Sequence, residues 1–165
     1  SEIKLLKSEL ENSSDDLTVK EKKLFKKYDE LLDSQKFGTI NIIEKNIIKI
    51  IKEIIHRHEK IYYDLICYCI MPNHIHLVFT IISKEKSLSE IMKMIKGTSS
   101  VMINKYLNRT GSLWQAESFD RLIRDDTEMY NIVKYVLLNP VKANLVSDWK
   151  NWEHTYCHPS YLVLD

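Results

Sequence analysis

Two short segments rich in aromatic and β-branched residues, at 62–70 and 74–82, place the strongest constraint on the fold of this chain. The turn-forming residues Met71-Pro72-Asn73 separate them. The pattern predicts a pair of antiparallel strands. The whole chain contains only three glycines and three prolines, so long segments on either side can run without a helix breaker.

Three segments with helical signals precede the strands, at residues 5–10, 18–32 and 42–58. Thr18 and Glu21 have the spacing of a capping box at the start of the second segment. The chain is expected to turn around Gly38, and the third segment repeats isoleucines at helical spacing. The N-terminal third is therefore predicted to be mainly helical.

After the strands we predict a helix at 87–107, a short strand at 118–123 and a helix at 127–138. Pro140 is expected to end the last helix, because the residue before a proline disfavours the α conformation. The tail from residue 147 has no periodicity that predicts a structure.

The order of these elements predicts an α+β fold. We expect an antiparallel sheet of the ferredoxin-like kind, with helices packed on one face and a helical N-terminal extension. At 165 residues the chain is expected to form a single domain. It would consist of a mainly helical part at 1–60, a core at 61–146 that carries the candidate site, and a C-terminal tail at 147–165.

The chain is expected to be a cytoplasmic protein that does not enter a membrane. Its first residues are charged, which does not fit a secretory signal, and no apolar run approaches the roughly 20 residues that span a bilayer. Three cysteines are an odd number, which favours reduced thiols in the cytosol.

The segment His74-Ile75-His76 is the sharpest candidate for a metal site. Alternate residues of a strand share a face, so both imidazoles are expected to point the same way. Two convergent imidazoles are natural metal ligands, although two hydrogen-bonded histidines at a sheet surface fit the spacing equally well. His56 and His58 have the same spacing, but within a helical pattern they should not face each other.

Cys67 and Cys69 offer a competing zinc site together with the histidines, because they also share one strand face. Their Cys-x-Cys spacing differs from the usual Cys-x2-Cys of zinc sites. Buried cysteines that pack in a strand explain them better.

Tyr135 is the candidate nucleophile of the last helix. The apolar residues of that helix form one buried stripe, and Tyr135 lies roughly 130° from its centre. Asn131 and Asn139 flank Tyr135 on the same helical face. Tyr130 lies closer to the stripe and is expected to be the tyrosine that packs into the core.

Several segments, in order along the chain, resemble the single-tyrosine HUH transposases, most of all the REP-associated tyrosine transposases. Residues 69–79 look like the His-hydrophobe-His segment of that family, and residues 135–143 look like its tyrosine-helix motif, YxxxNPVxAG. Three segments between them also match, at 95–100, 111–115 and 119–125. The resemblance runs from about residue 24 to 152, and Asn144 departs from it where glycine is usual.

This resemblance implies a metal-dependent nuclease. His74 and His76 would bind a divalent ion of the Mg2+ or Mn2+ type, with Asn139 as a third ligand, and zinc could occupy the same imidazoles. Tyr135 would attack a DNA phosphate and leave a 5′-phosphotyrosine and a free 3′-hydroxyl. A second strand end could then be joined without ATP, because the covalent step conserves the phosphodiester energy.

The expected substrate is single-stranded DNA, with a hairpin end as the form that the resemblance implies. The net charge is only +1, but residues 84–109 carry six positive side chains against two glutamates. The candidate DNA contacts are four cations and one possible stacking platform: Lys93, Lys96, Arg121, Arg124 and Trp114. Surface charge or core packing explains each of these residues about as well.

The family generally begins with a strand that pairs in the sheet of the histidines, whereas this chain begins with a helical pattern. We therefore expect either a longer gene product or a homodimer that covers the open edge. Two other functions fit the same residues. One is a DNA-hairpin binder that does not cleave, and the other is a small metallohydrolase in which Tyr135 only positions the substrate.

Overall fold

The structure is a computed structural model, and it describes residues 17–34, 40–115, 118–162 and 164. The predicted helix at 5–10 and the turn at Gly38 lie outside the described residues. Four α-helices and three strands follow one another in the order α1 Leu17–Ser34, α2 Lys45–Arg57, β1 Tyr63–Ile70, β2 Ile75–Ile81, α3 Leu88–Tyr106, α4 Asp126–Lys142 and β3 Thr155–Cys157.

The three strands form one antiparallel sheet in the order β2-β1-β3, so β1 is the central strand. In the register of the hairpin, Cys69 lies opposite His76 and Ile70 lies opposite Ile75. The register shifts between Leu65 and Cys67, where β1 contains a bulge. The predicted pair of strands is confirmed.

Each face of the sheet packs against helices. Tyr68 and Ile70 of β1 lie on one face, in a core with the isoleucines of α2 and with Ile103 of α3. Cys67 and Cys69 lie on the other face, against the apolar stripe of α4. The α+β class is confirmed, and the described helices occupy both faces of the sheet rather than one, because α4 crosses the face that carries the histidines.

Two predictions about the region before and within α4 are wrong. Residues 118–123 form no strand, because Phe119 packs against the rings of Phe25 and Tyr28 and Arg121 pairs with Glu128 instead of joining a ladder. Pro140 does not end α4, which continues to Lys142.

The last turn of α4 tolerates its proline for a local reason. A proline lacks only one backbone donor, and the carbonyls around it keep their partners. Asn139 O accepts from Ala143 N at 3.0 Å, and Pro140 O accepts from Leu145 N at 2.9 Å. The ring of Pro140 is buried, which adds packing that a surface proline would not supply.

The C-terminal tail forms an element that the sequence did not predict. β3 pairs with residues 67–69 of β1, and the Trp152 indole donates a hydrogen bond of 3.0 Å to Ile70 O. β3 therefore covers residues 67–69 along one edge of β1. Within the described ranges, no helix is long and apolar enough to cross a membrane.

Candidate metal centre and tyrosine site

The β1–β2 hairpin directs two imidazoles to one point. His74 ends the turn, where Met71 N donates a hydrogen bond of 2.9 Å to His74 O, and His76 is the second residue of β2. Their Nε2 atoms lie 3.2 Å apart, and both side chains are about nine-tenths buried. Ile75 points into the opposite layer, against the core of α2. The predicted shared face of the two histidines is therefore present.

Asn73 fixes the orientation of the His74 ring. Its amide nitrogen donates to Leu32 O of α1 at 2.9 Å, which leaves its oxygen facing His74 Nδ1 at 2.7 Å. An oxygen at this place requires the proton of His74 to be on Nδ1. The lone pair of His74 Nε2 is then directed at the His76 imidazole, which is the tautomer that a metal ligand needs.

Asp29 of α1 completes a group of three possible metal ligands. Its Oδ1 lies 3.0 Å from His76 Nε2 and 3.6 Å from His74 Nε2. The ligand atoms of these three residues all lie within 4.8 Å of one another, and all three residues are buried. Among the described residues, this His-His-Asp group is the one cluster of histidine, cysteine and acidic side chains that could hold a metal ion.

The protonation states of the group suit a cation. Burial and the neighbouring His76 lower the pKa of His74 to about 3, so this imidazole is neutral at pH 7. Burial alone would raise the pKa of Asp29, but the adjacent imidazole of His76 and, less strongly, His74 and the Asn139 amide hold it below its usual value. A neutral imidazole beside an ionised carboxylate is a donor set for a divalent ion.

Tyr135 of α4 lies directly beside this group. Its ring contacts His76 at 5.8 Å and Phe25 of α1 at 5.2 Å between centroids, and its hydroxyl donates a hydrogen bond to Asp29 Oδ2. Lys142 places its Nζ 3.7 Å from the centre of the same ring. A phenol, a cation and a buried carboxylate thus meet where the histidines converge.

The expectation for Tyr130 is wrong, because 46% of this residue is exposed while Tyr135 is the more covered of the two tyrosines. The apolar stripe of α4 is buried as predicted. The stripe alone could not indicate that α1 packs against the side of α4. Because of this packing, Tyr135 is partly buried although it lies outside the stripe.

Asn139 is brought to the same place, one turn after Tyr135. It is buried, and its Nδ2 donates a hydrogen bond of 3.2 Å to Asp29 Oδ2. Its contact with the histidine group therefore runs through the aspartate.

The competing metal ligands do not join the group. Cys67 and Cys69 are buried and form no disulfide, and burial raises the pKa of Cys67 far above its usual value, which disfavours the thiolate that binds zinc. His56 has its own partners, with Nδ1 at 3.0 Å from Glu59 and Nε2 at 3.3 Å from the Tyr68 hydroxyl.

The five residues that were predicted to contact DNA differ in their exposure to solvent and in their contacts within the protein. Lys93 and Arg124 are exposed. Lys96 is partly buried and donates to Gln115 O at 3.2 Å. Arg121 is bound to Glu128 at 2.6 Å, and Trp114 packs against the core while its indole donates to Ser99 Oγ at 2.8 Å.

Known proteins resemble this chain. The model of the family described as "Transposase IS200 like" matches residues 36–138, which is more than half of the chain. The chain belongs to the IS200-like transposase family. A Haemophilus influenzae protein described as "Putative REP-associated tyrosine transposase" is 26% identical over 105 residues, which is 58% of this chain and 60% of that relative. The chain thus matches less than two thirds of that relative's length, and no solved structure gave a significant match.

Two residues of the site were missed by sequence reasoning. Lys142 lies seven residues after Tyr135, a helical spacing that could have indicated it. Asp29 gave no such signal. It lies 45 residues before His74, outside the segment that matches the family, on a helix with many other charged residues.

Proposed function

We propose that this protein is a metal-dependent single-tyrosine endonuclease of the transposase type, which cleaves and rejoins single-stranded DNA through a covalent 5′-phosphotyrosine. The single observation that carries the proposal is the contact of Tyr135 with the buried His-His-Asp group. Membership in the IS200-like family supports the same activity.

Each residue has a defined task in this reaction. Tyr135 Oη attacks the phosphorus as its proton passes to Asp29, a new P–O bond to tyrosine forms, and the bond to the 3′ oxygen breaks, so that this oxygen takes up a proton from water and leaves as a 3′-hydroxyl. A phenol is a weak nucleophile until it loses its proton. In this site the phenol proton already points at the carboxylate of Asp29. Lys142, beside the ring, would stabilise the negative charge that develops there.

The divalent ion, Mg2+ or Mn2+, would be held by His74 and His76 with Asn139 alongside. It would polarise the phosphoryl oxygens when bound. The residues fit such an ion, because two buried imidazole nitrogens and a carboxylate oxygen converge within 4.8 Å of one another. The tautomer of His74, fixed through Asn73, keeps one lone pair available for it.

The DNA contacts of this proposal are the exposed cations Lys93 and Arg124 and the partly buried Lys96. Arg121 and Trp114 would contribute less, because the Arg121 side chain is only 10% exposed against Glu128 and the Trp114 indole packs against the core. A small number of such cationic contacts suits the binding of a single strand or a hairpin. The affinity of the protein for this DNA should fall as the salt concentration rises. The cysteines of the described residues form no disulfide, which suits a protein of the cytoplasm. A homodimer is also part of the proposal.

The test is incubation of the protein with 3′-labelled hairpin DNA and Mn2+, followed by denaturing electrophoresis. We expect a protein–DNA adduct with the wild type and with Tyr130→Phe, and none with Tyr135→Phe. Hairpin DNA should also be bound more tightly than blunt duplex of equal length at the same salt. A folded Tyr135→Phe variant that still forms the adduct would sink the assignment of the nucleophile. DNA binding without any adduct in the wild type would favour the hairpin-binding function instead.

A further inference from the structure

We propose that Asp29, not Asn139, is the third protein ligand of the divalent ion, so that helix α1 completes the metal centre. This inference rests on the proposed function of the site. It concerns a residue seven positions before the segment that matches the family model, which begins at residue 36.

The position of Asp29 Oδ1 supports the proposal. This oxygen lies 3.0 Å from His76 Nε2 and 3.6 Å from His74 Nε2, and the two nitrogens are 3.2 Å from each other. Three donor atoms at nearly equal separations can share one cation on one side and leave its other positions open. An open side is what an ion needs if it is also to contact a phosphate.

The bonding state of the two carboxylate oxygens differs, and the difference points to a ligand. Oδ2 accepts hydrogen bonds from the Tyr135 hydroxyl and from Asn139 Nδ2. Oδ1 is buried and accepts no well-oriented hydrogen bond, although His76 Nε2 lies 3.0 Å away; Asn139 Oδ1 is likewise buried without a donor, but Asp29 Oδ1 is the oxygen that lies beside both imidazole nitrogens. The Asp29 side chain is only 7% exposed, and a carboxylate buried to this extent is costly unless a cation compensates its charge.

Asn139 has a different role in this arrangement. Its amide nitrogen is directed at Asp29 Oδ2, so it holds the carboxylate with Oδ1 turned toward the histidines. We therefore assign Asn139 as a positioning residue that acts through Asp29. The same carboxylate then connects the ion on one oxygen with the tyrosine hydroxyl on the other.

Helix α1 is held over the site by contacts that are independent of a metal. Phe25 packs against Tyr135 at 5.2 Å and against Phe119 at 5.5 Å between centroids, and Leu32 O accepts the bond from Asn73. These contacts fix α1 on both sides of Asp29. The carboxylate is thus supplied by a scaffold rather than by a side chain that must fold in when the ion arrives.

The first experiment measures Mn2+ affinity of the metal-free full chain, by the electron paramagnetic resonance signal of free Mn2+, without DNA. We expect Asp29→Asn to bind Mn2+ at least tenfold more weakly than the wild type and Asn139→Ala to lose less than Asp29→Asn. The matched control is Glu30→Gln, on the exposed neighbouring residue, which should bind like the wild type. An Asp29→Asn variant with wild-type affinity, a larger loss in Asn139→Ala, or no Mn2+ binding by the wild type would each overturn the proposal.

A second measurement covers the case in which Asp29→Asn fails to fold. Wild-type protein labelled with 13C-aspartate is loaded with Mn2+, and the carbon coupling is read by electron–nuclear double resonance. A strong coupling from a ligating carboxylate is expected, and its absence contradicts the proposal.

The adduct assay with wild-type protein separates this inference from the proposed function. If the wild type forms the adduct and Asp29→Asn binds Mn2+ like the wild type, the assignment of Asp29 as a ligand is wrong and the nuclease function stands. If Asp29→Asn binds Mn2+ more weakly and the wild type forms no adduct, the metal centre stands and the nuclease function is wrong.

Discussion

Two His-x-His segments with identical spacing lie in different surroundings in this protein. His74 and His76 lie at the start of β2, face each other at 3.2 Å and are buried under α1 and α4. His56 and His58 lie at the end of α2, where the His56 side chain is 36% exposed and bonded to Glu59. His74 and His76 converge on Asp29, whereas His56 and His58 contact different residues.

The same i, i+2 spacing therefore brings two side chains together in a strand and separates them on a helix. Residues i and i+2 share a face in a strand, whereas on a helix they lie about 200° apart. His58 is the C-cap of α2 and contacts the Tyr62 ring at 5.3 Å, away from His56. Burial adds the second difference, since it keeps His74 neutral and available for a metal.

The largest expected effect tests the comparison directly. Replacing His74 and His76 by alanine should weaken Mn2+ binding at least 100-fold, because two of the three proposed ligands are removed. The double replacement of His56 and His58 should change the affinity less than twofold. Calorimetric titration of both proteins with Mn2+ measures this, and equal affinities in the two would break the comparison.

A smaller effect is expected from the residues that orient each pair. Asn73→Ala removes the acceptor of the His74 Nδ1 proton, and loss of such an outer partner typically costs about 10- to 100-fold in metal affinity. Glu59 holds His56 Nδ1 in the same way, yet Glu59→Ala should leave Mn2+ binding unchanged. The same titration decides it, and an unaffected Asn73→Ala variant would show that the tautomer of His74 needs no partner.

In metal-free protein, a fall in pH should lower the free energy of unfolding through the buried His74 of the hairpin pair. The pKa of His74 is about 3 in the fold, below its unfolded value of about 6.5, so the unfolded chain binds more protons between these values. Stability from this group is complete above pH 6.5 and is lost as the pH falls. From pH 7 to 5 the free energy of unfolding should drop by about 2 kcal/mol through His74.

Urea unfolding at the two pH values measures this contribution. His74→Gln should lose it, whereas His58→Gln should keep it. Equal pH dependence in wild type and His74→Gln would contradict the neutral, buried state of this imidazole.

The smallest expected effect concerns the tyrosine that joins the hairpin pair. Tyr135→Phe removes one hydrogen bond to Asp29, and a partly exposed bond of this kind contributes about 1 kcal/mol. Tyr130→Phe, at an exposed position, should leave the free energy of unfolding unchanged. Thermal unfolding of both variants measures the difference. A Tyr135→Phe variant as stable as the wild type would mean that the hydroxyl contributes to the site alone.

The elements whose sequence signals are local could be predicted from the sequence alone. The isoleucine repeat of α2, the alternation in β1 and β2 and the apolar stripe of α4 each depend on neighbours within a few residues, so the period of the pattern specifies the element. The shared face of His74 and His76 follows from the same rule. Membership in the IS200-like family was also indicated by motifs at 69–79 and 135–143.

The contacts that these elements make with residues far away in the chain depend on the tertiary structure. β3 forms where the C-terminal tail pairs with residues 67–69 of β1, and its three residues are too few to give a periodic sequence pattern. Residues 118–123 stay outside the sheet, since Phe119 and Arg121 have partners on α1 and α4. Asp29 reaches the histidines through the packing of a whole helix. Packing between segments far apart in the chain depends on shape and burial in three dimensions, and no local pattern encodes it.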